Sequence, residues 1–163
     1  METKKDSVTH IHQIYIRASA QAIWDAITDP AWNGRYGYQA VTEYDLKPGG
    51  KYRVKASDQM RSYGLPEVII DGEVLEVKPL SKLVQTYRWL FNDQHKAEGF
   101  TRLTFEITQS HTGFCLLTVT HDVTGAPMMS EATQSTFNEM GGGGWNWILS
   151  DLKSLLETGK IMS

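Results

Sequence analysis

Residues 141–160 read GGGGWNWILSDLKSLLETGK, four glycines set directly against an amphipathic segment. Trp145, Ile148, Leu149, Leu152, Leu155 and Leu156 recur in it at helical spacing, so one side of the wheel is apolar. Gly159 stands where helices commonly end in a left-handed residue. At 1.5 Å per residue such a helix is about 24 Å long, enough to cross a small sheet. Each large side chain on the stripe contributes about 1.5–3 kcal/mol when buried, so the helix needs a cover and is a main source of stability. The glycines have two readings. As a joint they turn the chain sharply into the helix, which requires φ above zero at one or more of them. As a gate they leave room beside Trp145 for a ligand or a moving lid. The joint is the expectation, because glycine runs more often solve a backbone problem. A phosphate loop does not fit, since no clear strand precedes the run and no Lys-Ser/Thr follows it. Trp147 falls off the apolar stripe and is expected to pack on the segment before the glycines; exposure to a partner is the alternative.

Working back from this helix, the chain is mostly strand. HIHQIYIRAS (10–19) is rich in β-branched and aromatic residues. Ser19 then caps AQAIWDAITD, where Ile23, Ala26 and Ile27 share a helical face that Pro30 closes. AWNGRYGY (31–38) reads as a second short helical turn or loop. YQAVTEYDL (38–46) and KYRVKA (51–56) flank Lys47-Pro48-Gly49-Gly50, in which Pro fixes φ and Gly accepts positive φ. DGEVLEVK (71–78), KLVQTYRWLF (82–91), FTRLTFEIT (100–108) and FCLLTVTHDV (114–123) continue the series. In APMMSEATQSTFNEM (126–140), Met129, Ala132, Thr133, Thr136, Phe137 and Met140 form a thin stripe that reads as a helix or partly ordered lid. Strands joined by short turns imply an antiparallel sheet, and helices gathered on one side of it imply an α+β fold.

The bulk properties narrow the classes. The 163 residues, 40% hydrophobic and 21% charged, suit one globular domain with a core of its own. Residues 1–8 read as a flexible tail. A net charge of −3 argues against nucleic acid as a partner. Cys115 is the only cysteine, which excludes an internal disulfide and fits a reducing compartment. The start METKKDSVTH lacks the apolar core of a secretory signal, and no apolar run reaches membrane-spanning length. A cytoplasmic location without membrane association is the expectation.

Five segments in this order resemble the START-like superfamily, also called SRPBCC or helix-grip proteins. They are IRASAQAIWDAITDP (16–30), DLKPGGKYRV (45–54), GEVLEVKPLSKLVQTYRW (72–89), LLTVTHD (116–122) and GWNWILSDLKSLLETG (144–159). Within it the chain is similar to the AHSA-like branch, named for an activator of a heat-shock chaperone ATPase. The likeness covers nearly the whole sequence. It implies a curved antiparallel sheet of six to seven strands around the C-terminal helix, two short helices after the first strand, and an apolar cavity between sheet and helix. The co-chaperone that names the branch has an additional N-terminal domain for chaperone binding, of which this sequence shows no sign.

Candidate chemistry is sparse. Strand alternation puts Cys115, Leu117, Val119 and His121 on one face, with His121 toward the cavity or its rim. It is there either a ligand anchor or general base, or a structural histidine bonded to a neighbour. His10 and His12 share a face, but no third metal ligand is evident. Glu43, Asp45, Glu73 and Glu76 form no marked acid–base pair; Trp24, Tyr44 and Tyr87 read as core or cavity wall; Cys115 has no catalytic signature around it. The expected ligand contacts are His121, Val119, Leu117, Trp89 and Tyr52 from the sheet, with Trp145 and Leu149 from the helix. The reading is a binder of a hydrophobic or aromatic small molecule, without metal or cofactor, and with a homodimer left open. A cyclase or aromatase acting on a polyketide-like substrate through His121 and a cavity Tyr or Arg is one alternative. A protein module acting on a chaperone ATPase through an exposed Trp147 is the other.

Overall fold

A computed structural model describes residues 6–134 and 137–162. Seven strands form one antiparallel sheet: β1 (Thr9–Ile16), β2 (Val41–Tyr44), β3 (Lys51–Lys55), β4 (Val68–Lys78), β5 (Lys82–Trp89), β6 (Thr101–Gln109) and β7 (Cys115–Asp122). Their spatial order is β1-β7-β6-β5-β4-β3-β2, so β2 to β7 meander and β1 closes against β7. Register shifts between Val54 and Lys55 and between Val74 and Glu76 mark irregularities that bend the sheet. Between the two edge strands the chain crosses through α1 (Ala20–Thr28) and α2 (Pro30–Asn33). Ser19 caps α1 by accepting from the Ala22 N–H, as its position implies. Pro30 does more than end α1: it opens α2, where its missing N–H costs nothing, with Asp29 as the cap.

The C-terminal helix α6 (Gly144–Thr158) lies against the inner face of the sheet. Trp145, Leu149, Leu152 and Leu155 are buried, and Ile148 and Leu156 are half-buried against the same cluster. Together with Ile16, Ile23, Leu83, Leu103 and Leu117 they form one continuous core. This is the helix-grip architecture. Among the described residues no helix is long and apolar enough to cross a membrane.

The glycine run is a joint. Gly141, Gly142 and Gly144 have φ of 101°, 87° and 71°, which residues with a Cβ rarely adopt. Gly143 is extended, and no side chain crowds Gly141, so the requirement there is conformational.

Several expectations need correction. Helix α5 (Pro127–Thr133) covers only the first half of the 126–140 segment. Phe137 and Met140 are 89% and 93% exposed, so the stripe does not continue to them; Thr136 lies outside the described residues. Trp147 packs within the domain as expected, its partner being Tyr38, with ring centroids 5.1 Å apart. Val8, assigned to the flexible tail, is fastened: its N–H donates to Thr124 Oγ1 and its carbonyl accepts from Val123. Two short helices, α3 (Asp58–Ser62) and α4 (Asp93–Glu98), have no counterpart in the reading above. Ser57 and Asn92 cap them and were the available signals.

Candidate functional site

A cavity of about 440 Å³ lies between the sheet and α6. Strand alternation builds one wall. On β5 the residues Gln85, Tyr87 and Trp89 face it, on β3 Tyr52 and Val54, and on β6 Leu103 and Phe105. Helix α6 supplies Trp145, Ile148, Leu149 and Leu152, and the loop before β2 supplies Tyr36 to Ala40. Of the residues expected to contact a ligand, Leu117, Trp89, Tyr52, Trp145 and Leu149 line this space.

His121 and Val119 do not. Both are completely buried on β7, but Trp145 covers the histidine. Its indole N–H donates to His121 Nδ1 at 3.1 Å, and the Tyr87 ring stands edge-on to the imidazole at 5.2 Å. With Nδ1 accepting, the ring proton sits on Nε2, which is 2.9 Å from Thr101 Oγ1. Thr101 in turn donates to the Tyr87 carbonyl at 2.8 Å. Both imidazole nitrogens are therefore engaged in holding Trp145 and the β5–β6 ladder. His121 is a prop behind the cavity wall.

Burial pushes the His121 pKa down to about 4, and the neighbouring His10 adds to the effect. His10 lies directly opposite on β1 and is itself lowered by burial and by His12. An imidazole with a lowered folded-state value is protonated more readily in the unfolded chain. Stability contributed this way is complete above about pH 6.5 and is lost as pH falls toward 4, with a slope of up to about 1.4 kcal/mol per pH unit. Glu43 and Asp122 are held below the usual carboxylate range by hydrogen bonds from Lys55, Arg53 and Thr124, so their contribution disappears only at lower pH. Denaturant melts from pH 7 to 4.5 are expected to show this slope, and His121→Gln is expected to flatten it. Equal slopes in the two proteins would remove His121 from the acid response.

The cavity's polar groups are mostly committed to the fold. Tyr44 donates to Gln85 Oε1 at 2.9 Å, Tyr36 donates to the Ala26 carbonyl at 2.8 Å, and Tyr52 donates to the Thr86 carbonyl. Asn33 bridges Ile27 and Thr42. Gly72 on β4 permits the seating of Tyr52: a Cβ there would lie 2.2 Å from the Thr86 oxygen and 2.6 Å from the Tyr52 ring. The phenols of Tyr36, Tyr44 and Tyr52 are raised by burial, and Tyr87 is raised to about 12. None is an acid or base near neutral pH. The carboxylates singled out in the sequence are paired on the outer surface, Glu43 with Arg53 and Lys55, Glu73 with Lys51, and Glu76 with Lys82. Asp45 pairs with Lys47.

The family described as activator of Hsp90 ATPase homolog 1-like protein matches residues 17–157. The chain belongs to this family. No curated protein matches it. Among solved structures, this family member is similar to CV1439 from Chromobacterium violaceum, with 19% identity and a TM-score of 0.62 over 91% of this chain and 96% of that one. It is similar to PFC0360w, an HSP90 activator from Plasmodium falciparum, with 19% identity and a TM-score of 0.55 over 94% and 90%. It is also similar to DynU16, a protein of the dynemicin biosynthetic locus, with 20% identity and a TM-score of 0.66. The match covers 94% of this chain but 48% of DynU16, and 64% of CalU16 from Micromonospora echinospora. At these identities the likeness is one of fold.

Proposed function

We propose that this protein binds an apolar, ring-containing small molecule between its sheet and α6. The carrying observation is the cavity of about 440 Å³, within the size range of small-molecule pockets, with walls dominated by aromatic and aliphatic side chains. Leu117, Trp145, Leu149, Trp89 and Tyr52 are the proposed contacts, with His121 fixing Trp145 from behind. Among the described lining residues none carries a carboxyl, amine, guanidinium, imidazole or thiol. Binding without chemistry is therefore the reading, since the tyrosines of the wall have no basic partner among these residues.

The test is titration with Nile red, a neutral dye that brightens in apolar surroundings. One site per chain is expected. Ala40→Trp places an indole in the cavity and is expected to weaken binding at least tenfold. Phe137→Ser, which removes an exposed phenyl outside the cavity, is expected to leave it unchanged. The opposite pattern would place the dye on the outer surface and overturn the proposal.

A further inference from the structure

We infer that the cavity selects neutral ligands that bring hydrogen-bond acceptors, such as ring ketones, and discriminates against both plain hydrocarbons and carboxylates. This rests on the cavity being a ligand site, and adds the chemistry of what it takes. Two donors on one strand carry it. Gln85, Tyr87 and Trp89 alternate along β5, so their side chains share one face, and all three line the cavity.

Trp89 and Tyr87 each bring a donor with no hydrogen-bonded protein acceptor among the described residues. The Gln85 side chain is only 2% exposed and its oxygen accepts from Tyr44, so it belongs to the wall's own bonding. The Trp89 indole nitrogen is buried without a hydrogen-bond partner. It faces the Tyr87 phenol closely enough to offset part of the rise that burial causes there, but not in hydrogen-bond geometry. The Tyr87 hydroxyl likewise donates to no described residue; only its backbone carbonyl is engaged, by Thr101.

Several acceptors in and behind the wall, in contrast, are already used. The Gln85 and Asn33 oxygens and the Thr86 and Ala26 carbonyls each receive a hydrogen bond from within the protein. Along β5 the uncommitted capacity is thus biased toward donation. A ligand that displaces water from such donors must replace the hydrogen bonds water made, or affinity is lost. An oxygen acceptor on the ligand does this and a hydrocarbon edge does not. A carboxylate accepts too, but it would shed its hydration among residues without a cation to balance it.

Fluorene, 9-fluorenone and 9-fluorenone-4-carboxylate separate these cases, because they share one ring skeleton. Equilibrium dialysis against the full chain measures each. Water holds the ketone more strongly than the hydrocarbon, so a wall without free donors would prefer fluorene. The expected order is the reverse, with fluorenone at least threefold tighter than fluorene and at least tenfold tighter than the carboxylate. Tyr87→Phe combined with Trp89→Phe removes two donors and is expected to bring the fluorenone-to-fluorene ratio to one or below. Fluorene binding as tightly as fluorenone in the parent protein would overturn the donor inference and leave the cavity reading standing. So would a carboxylate that binds as well as the ketone. If none of the three binds, the cavity reading fails and this inference fails with it.

Discussion

Leu152→Ala is expected to destabilise the fold by about 2–5 kcal/mol, the range for truncating a buried leucine. Leu152 is 1% exposed at the middle of α6, in one cluster with Ile16, Ile23, Leu83 and Leu117. The lost methyl and methylene groups forfeit their transfer energy, and the space they leave joins the existing cavity. Collapse onto that space is opposed from both sides. The sheet is fixed by its ladder, and the helix is fixed at its start by the Trp145–His121 bond and further along by Asp151. A denaturant melt measures the effect, and a loss well under 1 kcal/mol would mean that the α6 stripe does not carry the core. The same variant enlarges the binding space, so its dye affinity reports separately on the cavity.

The legibility of this fold follows from how local each signal is. The stripe of α6 is a repeat within fifteen residues, and its period decides which side is buried wherever the helix docks. Alternation on β7 is equally local, and it places Cys115, Leu117, Val119 and His121 inward as expected. Which of those four meets the cavity is not local. The answer depends on Trp145, whose indole reaches back to a histidine 24 residues earlier and screens it. The donors of β5 were hidden for a similar reason. Alternation puts Gln85, Tyr87 and Trp89 on one face, but which of them is already bonded depends on distant residues such as Tyr44, 41 residues from Gln85. The stripe expected at residues 129–140 shows the converse failure. Its period is helical, but it is thin and interrupted by Thr and Asn, which offer the backbone alternatives to helix. The chain leaves the helix after Thr133 and forms a turn in which the Gly141 N–H donates to the Asn138 carbonyl. Phe137 and Met140 are left outside.

Asp151 was passed over because it occupies the apolar side of α6 without matching it, and its partners lie far off in sequence or beyond the helix. It is completely buried. One carboxyl oxygen accepts from the Gly37 N–H and the other from the Met162 N–H, both at 2.8 Å. The side chain thereby ties the helix to the loop before β2 and to the C-terminal segment. Asp151→Ala leaves two backbone donors without this acceptor, at roughly 1–3 kcal/mol each, so a loss of about 2–6 kcal/mol is expected. Asp151→Asn keeps the volume but turns one oxygen into an NH₂ group that meets an N–H donor, so it is expected to recover little. Chemical denaturation of both variants gives the energies, and hydrogen exchange at the Gly37 amide gives the site. An Asn variant as stable as the parent, with Gly37 still protected, would show that shape alone is required there. Gly37 lines the cavity beside Ile148, so the expected loss of its tether also loosens the rim. Faster dye exchange in Asp151→Asn, with protection lost at Gly37, would connect this buried carboxyl to access to the ligand site.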